Sequence, residues 1–174
     1  MKKKKRNNWP LIVTILAFTI SLLFSFMSES VMPKVGIIVG IMILILFIFI
    51  GIIFDMIGVA VTSSNEEPLH AMSSKKIKGA KKAVSFKKNA DKVSSFCNDV
   101  IGDICGVLSG SISALISIKI STQMNLPFNI QFVLSALVSA LTVSGKAFGK
   151  DIANKKSTEI VHKVGIVLNK FSKK

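Results

Sequence analysis

The feature that most constrains this chain is the gathering of its apolar residues into four long runs. The runs cover residues 9–27, 35–62, 93–118 and 126–145. Each has about 19 to 28 residues, and about 20 mainly apolar residues in a helix are needed to cross a bilayer. Half of the chain is apolar, and long runs of this kind are typical of membrane spans. The sequence predicts an all-α integral membrane protein with four transmembrane helices.

The basic residues are concentrated in three segments that alternate with short loops. All of the 23 Lys and Arg residues except Lys34 and Lys119 lie in residues 2–6, 75–92 and 146–174. Because cytoplasmic segments carry the excess of Lys and Arg, both termini are predicted to lie in the cytoplasm, with the spans in the plasma membrane. The net charge of +14 favours a bilayer with anionic headgroups as partner. The lysines lie at the ends of the apolar runs, where the chain would leave the membrane, so nucleic acid is not expected to bind.

Two features of this topology have an alternative interpretation. The first run follows a basic leader and could be a cleaved signal peptide, but the residues after Met27 form no small-x-small cleavage site, which favours a retained span. The third and fourth runs are rich in Ser, Gly and Ala. One of them could therefore be a re-entrant segment instead of a full span.

Two amphipathic segments are predicted on the cytoplasmic side. Residues 64–91 open with Ser-Asn-Glu-Glu-Pro at 64–68, a capping side chain followed by acids and a proline, which favours a helix start. Apolar residues among lysines follow. This pattern predicts a belt helix, or a helix pair, that lies along the inner headgroups. Residues 157–172 predict a second amphipathic helix of the same kind. With no internal repeat, residues 1–174 are predicted to form a single membrane domain.

Carboxylates within the second and third runs form the candidate site. Asp55 lies in the second run, and Asp99 and Asp103 lie one helical turn apart in the third, beside a stripe of glycines that recurs every fourth residue from Gly102 to Gly110. Such glycines let helices approach closely. At ~1.5 Å per residue from the cytoplasmic ends, the three carboxylates lie ~10 to ~16 Å deep and can share one level of the bilayer.

These carboxylates need a positive partner, because a charge at the centre of a membrane helix costs roughly 2.5 to 3.5 kcal/mol. The predicted spans contain no Lys or Arg. Carboxylate, hydroxyl, amide and carbonyl oxygens suit magnesium or calcium, whereas the lack of His and Cys clusters disfavours zinc and copper. We therefore expect a divalent cation. Two alternatives remain open: the carboxylates could be protonated, or Asp55 and Asp99 could reach water near the helix ends and serve packing alone.

Several short motifs follow one another between residues 36 and 145. They are Ser-Ser-Asn-Glu at residues 63–66, Gly-x3-Ala at 79–83, Asn-Ala-Asp at 89–91, Val-Ser-Ser at 93–95, Asn-Asp at 98–99 and Gly-Asp at 102–103. In this order they resemble the membrane domain of the CorB/CorC and cyclin M (CNNM) magnesium transporter family. The sequence departs from the family pattern at Asn65, in its extra carboxylates and in its first span, and it does not contain the family's cytoplasmic domains.

The resemblance implies a homodimer that holds a dehydrated Mg²⁺ ion between the second and third spans. In the family, the ligands are serine hydroxyls, an asparagine and a glycine carbonyl. By motif position and by the carboxylates above, the implied metal ligands are Asp55, Ser63, Ser64, Asn98, Asp99, Gly102 and Asp103. The expected function is binding and transport of a magnesium-like cation.

A second function class stays open, namely a non-transporting membrane scaffold or regulator whose lysine-rich face binds anionic lipid or a protein. An enzyme is not expected, because the sequence has no phosphate loop, no metal-binding His pair and no nucleophile with a base at workable spacing.

Overall fold

The computed structural model describes residues 9–124 and 130–171, and these residues form eight α-helices and one π-helical segment. In chain order they are α1 (Trp9–Val31), α2 (Ile37–Ser63), α3 (Glu66–Ser74), α4 (Ala80–Lys88), α5 (Ala90–Ser95), the π segment (Phe96–Gly102), α6 (Asp103–Met124), α7 (Ile130–Lys155) and α8 (Ser157–Phe171). These residues contain no strand, so the predicted all-α class is confirmed.

Four of these helices are long and apolar enough to cross a membrane: α1, α2, α7 and the continuous helix Ala90–Met124. The last consists of α5, the π segment and α6, and is called the third long helix below. Three of the four continue beyond the apolar runs. The structure extends α1 to Val31, the third long helix to Met124 and α7 to Lys155. Residues 126–129 of the predicted fourth span, and the basic residues 2–6, lie outside the described residues.

The long helices pack around α2 and α6. One cluster joins Leu44 of α2 to Ile112 and Ile116 of α6 and to Val138 of α7. α1 packs against the π segment and α6 but buries none of its own residues. Large apolar side chains therefore cover the outside of the bundle, and Ile38 is 76% exposed. An apolar outer surface of this extent is typical of a protein in contact with lipid or with another apolar partner.

The short helices α3, α4 and α8 pack together at one end of α2. Leu69 of α3, Ala83 of α4 and Val161 of α8 are fully buried in one cluster with Val61 of α2. The predicted belt, residues 64–91, is thus a helix pair followed by the start of the third long helix. The chain turns between α3 and α4 at Gly79, whose φ of +84° is unfavourable for other residues.

Close backbone contact holds α8 against α4. A Cβ atom added at Gly165 would lie 2.6 Å from the carbonyl oxygen of Gly79. One ring nitrogen of His162, Nε2, lies 3.0 Å from the carbonyl oxygen of Lys78. On the exposed side of α8, a hydrogen bond from Lys163 lowers the pKa of Glu159.

At the other end of the bundle, Lys119 fastens α6 to the connection between α1 and α2. Its Nζ donates to the carbonyl oxygens of Met32 at 2.8 Å, Pro33 at 3.0 Å and Val35 at 2.5 Å. The lysine therefore satisfies backbone acceptors where the two helices end and begin.

Candidate functional site

The candidate site lies where α2 faces the π segment. Two glycines of α2 allow this close approach. A Cβ added at Gly58 would lie 2.0 Å from Asn98 Oδ1, and one added at Gly51 would lie 3.1 Å from the Cβ of Cys105. The wider turn of a π segment shifts the side chains that follow it, and such segments are frequent at functional sites. α2 and the third long helix therefore pack closely against each other on both sides of Asp55.

Asp55 is the most buried charged group of the site, with a side chain 6% exposed. Two lysines of α7 each approach a different oxygen of the carboxylate. Lys146 Nζ lies 4.0 Å from Oδ1, and Lys150 Nζ lies 3.5 Å from Oδ2. The second contact is an ion pair without hydrogen-bond geometry, because Oδ2 is buried with no hydrogen-bond partner among the described residues. Asp55 is therefore neutralised by charge and incompletely hydrogen-bonded.

The sequence-based premise that no lysine reaches the carboxylates was wrong. The apolar run ends at residue 145, but α7 continues in helical form through Lys155 and carries two lysines one turn apart along α2. Glycines permit this approach, since a Cβ at Gly149 would lie 3.3 Å from Cγ2 of Ile52. The signal was present in the sequence as the repeated Gly-Lys pair at residues 145–146 and 149–150.

Lys146 also contacts the third long helix. Its Nζ donates to the carbonyl oxygen of Gly102 at 3.4 Å and lies 3.8 Å from Asp103 Oδ1. Gly102 is itself close to α2, because a Cβ added to it would lie 3.8 Å from Asp55 Oδ1. Of the predicted ligands, the structure therefore brings Asp55, Gly102 and Asp103 together around one ammonium group. The side chain of Asp103 is 72% exposed, so it forms the open edge of this cluster.

Asn98 lies one turn along α2 from the cluster, against Gly58. Its Nδ2 donates to Ser94 Oγ at 3.3 Å, whereas its Oδ1 is buried and has no hydrogen-bond partner among the described residues. A buried amide oxygen without a donor is costly. The Asn98 Oδ1 atom is therefore available to accept a hydrogen bond or to bind a cation.

The other three predicted ligands make separate contacts. Asp99 is exposed and accepts a hydrogen bond from Ser95 at 2.8 Å. Ser63 bonds to Asn154 Oδ1 of α7 at 2.8 Å, and Ser64 donates to the carbonyl oxygen of Val61 at 3.1 Å. Across residues 9–124 and 130–171, no group of three or more His, Cys, Asp or Glu side chains is arranged to hold a metal ion.

The glycine stripe of the third run does not act as one contact face. Gly102 is buried, but a Cβ added at Gly106 or Gly110 would meet nothing within 4 Å. The helix is α-helical from Asp103 onward, and at 3.6 residues per turn each four-residue step turns the side by about 40°, so Gly110 lies about 80° around the helix from Gly102. Gly106 and Gly110 instead line a cleft of about 190 Å³, together with Ser135 and Ser139 of α7.

No family model, curated protein sequence or solved structure matches this chain. The resemblance to the CorB/CorC and cyclin M family therefore rests on the order of its motifs.

The cluster is electrically balanced as it stands. Asp55 and Asp103 carry two negative charges, and Lys146 and Lys150 carry two positive ones. The oxygens of Asp55, Asp103 and Gly102 surround Lys146 Nζ at 3.4 to 4.0 Å. These distances are longer than a strong charge-assisted hydrogen bond, which is about 2.7 to 2.9 Å. A smaller or more highly charged cation could draw the same oxygens closer.

Proposed function

We propose that this chain is a multi-pass membrane protein with four transmembrane helices and both ends in the cytoplasm. Support comes from the four long apolar helices and from the exposed apolar surface of the bundle. The lysines supply the orientation, because the end formed by α3, α4 and α8 is lysine-rich and the opposite end contains Lys34 and Lys119.

We further propose that the protein binds a divalent cation of the magnesium class between α2 and the third long helix, in competition with Lys146. This proposal is supported mainly by the position of Lys146 Nζ, which lies among oxygens of Asp55, Gly102 and Asp103 as a bound cation would. Lys146 then acts as a tethered cation that neutralises Asp55 when no metal ion is bound.

Competition follows from the charges. A divalent ion added to the balanced cluster would face two ammonium groups, so Lys146 must leave before the metal ion binds. Its long stem is flexible and its side chain is already 21% exposed, so the ammonium can move toward water. The oxygens of Asp55 and Gly102, both on buried residues, would remain in place. Oxygen ligands of this kind suit Mg²⁺.

The test is thermal unfolding of the detergent-purified protein during MgCl₂ titration at constant ionic strength. Lys146→Met should respond at least about tenfold lower in Mg²⁺ concentration than wild type, because the tethered competitor is gone. Asp55→Asn should not respond. Lys155→Met is the matched control, since Lys155 pairs with the exposed Asp151 at 2.7 Å, and its response should equal that of wild type. An identical Mg²⁺ response in wild type, Lys146→Met and Asp55→Asn contradicts the proposal.

The ion pairs also favour a second candidate function, a non-transporting scaffold or regulator. If Lys146 holds the cluster closed permanently, the site stabilises helix packing and the lysine-rich end binds lipid or protein. Ion flux into liposomes separates the candidates. Mg²⁺ flux that is lost in Asp55→Asn supports transport, whereas membrane association that follows lipid charge without flux supports the scaffold.

The cation-binding proposal includes the homodimer that the resemblance implies. The open cleft beside Gly106 and Gly110 provides a small-residue surface at which a second copy could pack. Molecular mass in detergent tests it: a dimer that dissociates when Gly110 is replaced by Leu supports this surface, and a monomeric wild type contradicts it.

A further inference from the structure

An apolar cavity lies away from the carboxylates, at the end of the bundle where α4 and α8 pack. It has a volume of about 680 Å³, within the usual range for ligand sites of roughly 300 to 1,000 Å³. Aromatic rings from four different elements line it, namely Trp9, Phe54, Phe86 and Phe96. Its wall is completed by one apolar stripe of α8 that includes Val164, Val167 and Leu168. The interior is therefore suited to a hydrocarbon chain.

Two lysines give this apolar cavity a charged border. Lys92 and Lys163 are the only charged residues among those that line it in the described part of the chain. Lys92 Nζ lies 5.5 Å from the centre of the Trp9 ring, which holds the cation at the edge of the apolar wall. Lys163 is paired with Glu159 at 2.7 Å, but both side chains are more than half exposed, and such pairs are weak.

We propose that this cavity binds an anionic phospholipid, with one acyl chain between the aromatic rings and the phosphate group between Lys92 and Lys163. Charge complementarity identifies the occupant, because an apolar cavity with two cationic groups at its border fits a long apolar chain that ends in a negative headgroup. The inference rests on the proposed topology, which places this end at the inner leaflet.

The protein contains a built-in reporter, since Trp9 is its single tryptophan and lines the cavity. Protein in detergent micelles is titrated with phosphatidylglycerol or phosphatidylcholine that carry dibrominated acyl chains, which quench nearby indole fluorescence. Wild type should show saturable quenching by phosphatidylglycerol at a mole fraction at least about fivefold lower than by phosphatidylcholine. Equal quenching by the two lipids would overturn the inference.

Three variants assign the effect to the cavity. Lys92→Gln with Lys163→Gln should abolish the preference for the anionic lipid, whereas the charge-matched pair Lys75→Gln with Lys156→Gln, outside the cavity, should keep it. Val164→Phe should narrow the cavity and weaken saturable quenching by both lipids. A preference that survives the first pair contradicts the proposed phosphate site.

A different occupant has a distinct signature. Absent quenching by both lipids, together with a change of molecular mass in Val164→Phe, would indicate a second copy in the cavity and overturn the lipid assignment. The readout is independent of Mg²⁺, so failure of the cation proposal leaves this test interpretable.

Discussion

In the structure, Asp55 is paired with Lys146 and Lys150 of the protein itself, whereas the sequence predicted a bound cation as its partner. A buried ion pair is weak evidence for stability, because desolvation of the two charges offsets much of their attraction. Two lysines on one buried carboxylate are therefore better explained by positioning than by stability: they fix how α7 lies along α2. They also make the positive charge movable, since the Lys150 side chain is 50% exposed and Lys146 partly so.

Gly58 provides a residue-scale test of the site. A methyl group at this position would lie 2.0 Å from Asn98 Oδ1, so Gly58→Ala must displace Asn98 or separate the two helices. We expect a loss of about 1 to 3 kcal/mol, the usual cost of overpacking a core, measured as a lower thermal unfolding midpoint in detergent.

Gly110→Ala is the matched control for that substitution. Gly110 lies in α6 and has open space around its Cβ position, so alanine should leave the midpoint unchanged or raise it, by up to about 1 kcal/mol from helix propensity. In the double variant Gly58→Ala with Asn98→Ala, the smaller side chain should restore part of the loss. Equal midpoints for Gly58→Ala and Gly110→Ala would show that Asn98 does not pack against Gly58.

At the scale of the element, run length and charge pattern were sufficient to predict the helices but not their register. Apolar length identified all four long helices, because hydrophobicity over about 20 residues does not depend on details of packing. The ends were less predictable, since a helix continues while its backbone hydrogen bonds and propensities allow. This is why Lys146 and Lys150 were assigned to a cytoplasmic segment and not to the site.

The π segment shows the same limit within one helix. The sequence around Asn98 and Gly102 has no feature that marks a widened turn, and an ideal α-helix would align Asp99 with Asp103 on one face. In the structure, Asp103 lies near Lys146 whereas Asp99 bonds to Ser95. Site residues on α2 and the third long helix could thus be identified by type. Which of them converge depends on a local geometry for which the sequence gives no recognisable signal.

Docking of α8 depends on the contact between Gly165 and Gly79. Gly165→Ala would bring a methyl group to 2.6 Å from the Gly79 carbonyl oxygen, so we expect α8 to separate from α4 while the long helices stay folded. Hydrogen exchange should rise by at least about tenfold in α8, equivalent to roughly 1.4 kcal/mol of lost protection. Gly106→Ala is the control, because a Cβ at this position would contact nothing within 4 Å, and it should leave hydrogen exchange in α8 unchanged. If Gly165→Ala keeps the wild-type protection of α8, the contact between Gly165 and Gly79 does not hold α8 in place.

Lys119 should anchor the opposite end. Lys119→Met removes three hydrogen bonds to the connection between α1 and α2, and we expect a loss of about 1 to 3 kcal/mol for the charged donor. The exposed Lys34, in the same connection, provides the control, because Lys34→Met should change the unfolding midpoint by less than about 0.5 kcal/mol. The prediction is contradicted by equal midpoints for the two variants.

For the whole molecule, the two ends of the bundle differ in both structure and charge. One end is closed by α3, α4 and α8 around a buried cluster, and the other carries the Lys119 anchor. In the proposed four-span topology, Met124 at the end of α6 lies on the side opposite to α4. Lysines near the first end should hold it at the cytoplasmic face.

Single cysteines test this orientation directly. In a Cys97→Ala, Cys105→Ala background, which removes the two buried native thiols, Gln123→Cys reports on the end of α6 and Ser85→Cys on α4. Both positions are exposed and uncharged, so the substitutions leave the lysine distribution intact. On intact cells, an impermeant maleimide should label Gln123→Cys at once and Ser85→Cys only after permeabilisation. Labelling of Ser85→Cys in intact cells would place the lysine-rich end outside, where neither an inner-leaflet phospholipid nor a cytoplasmic approach to Asp55 is available.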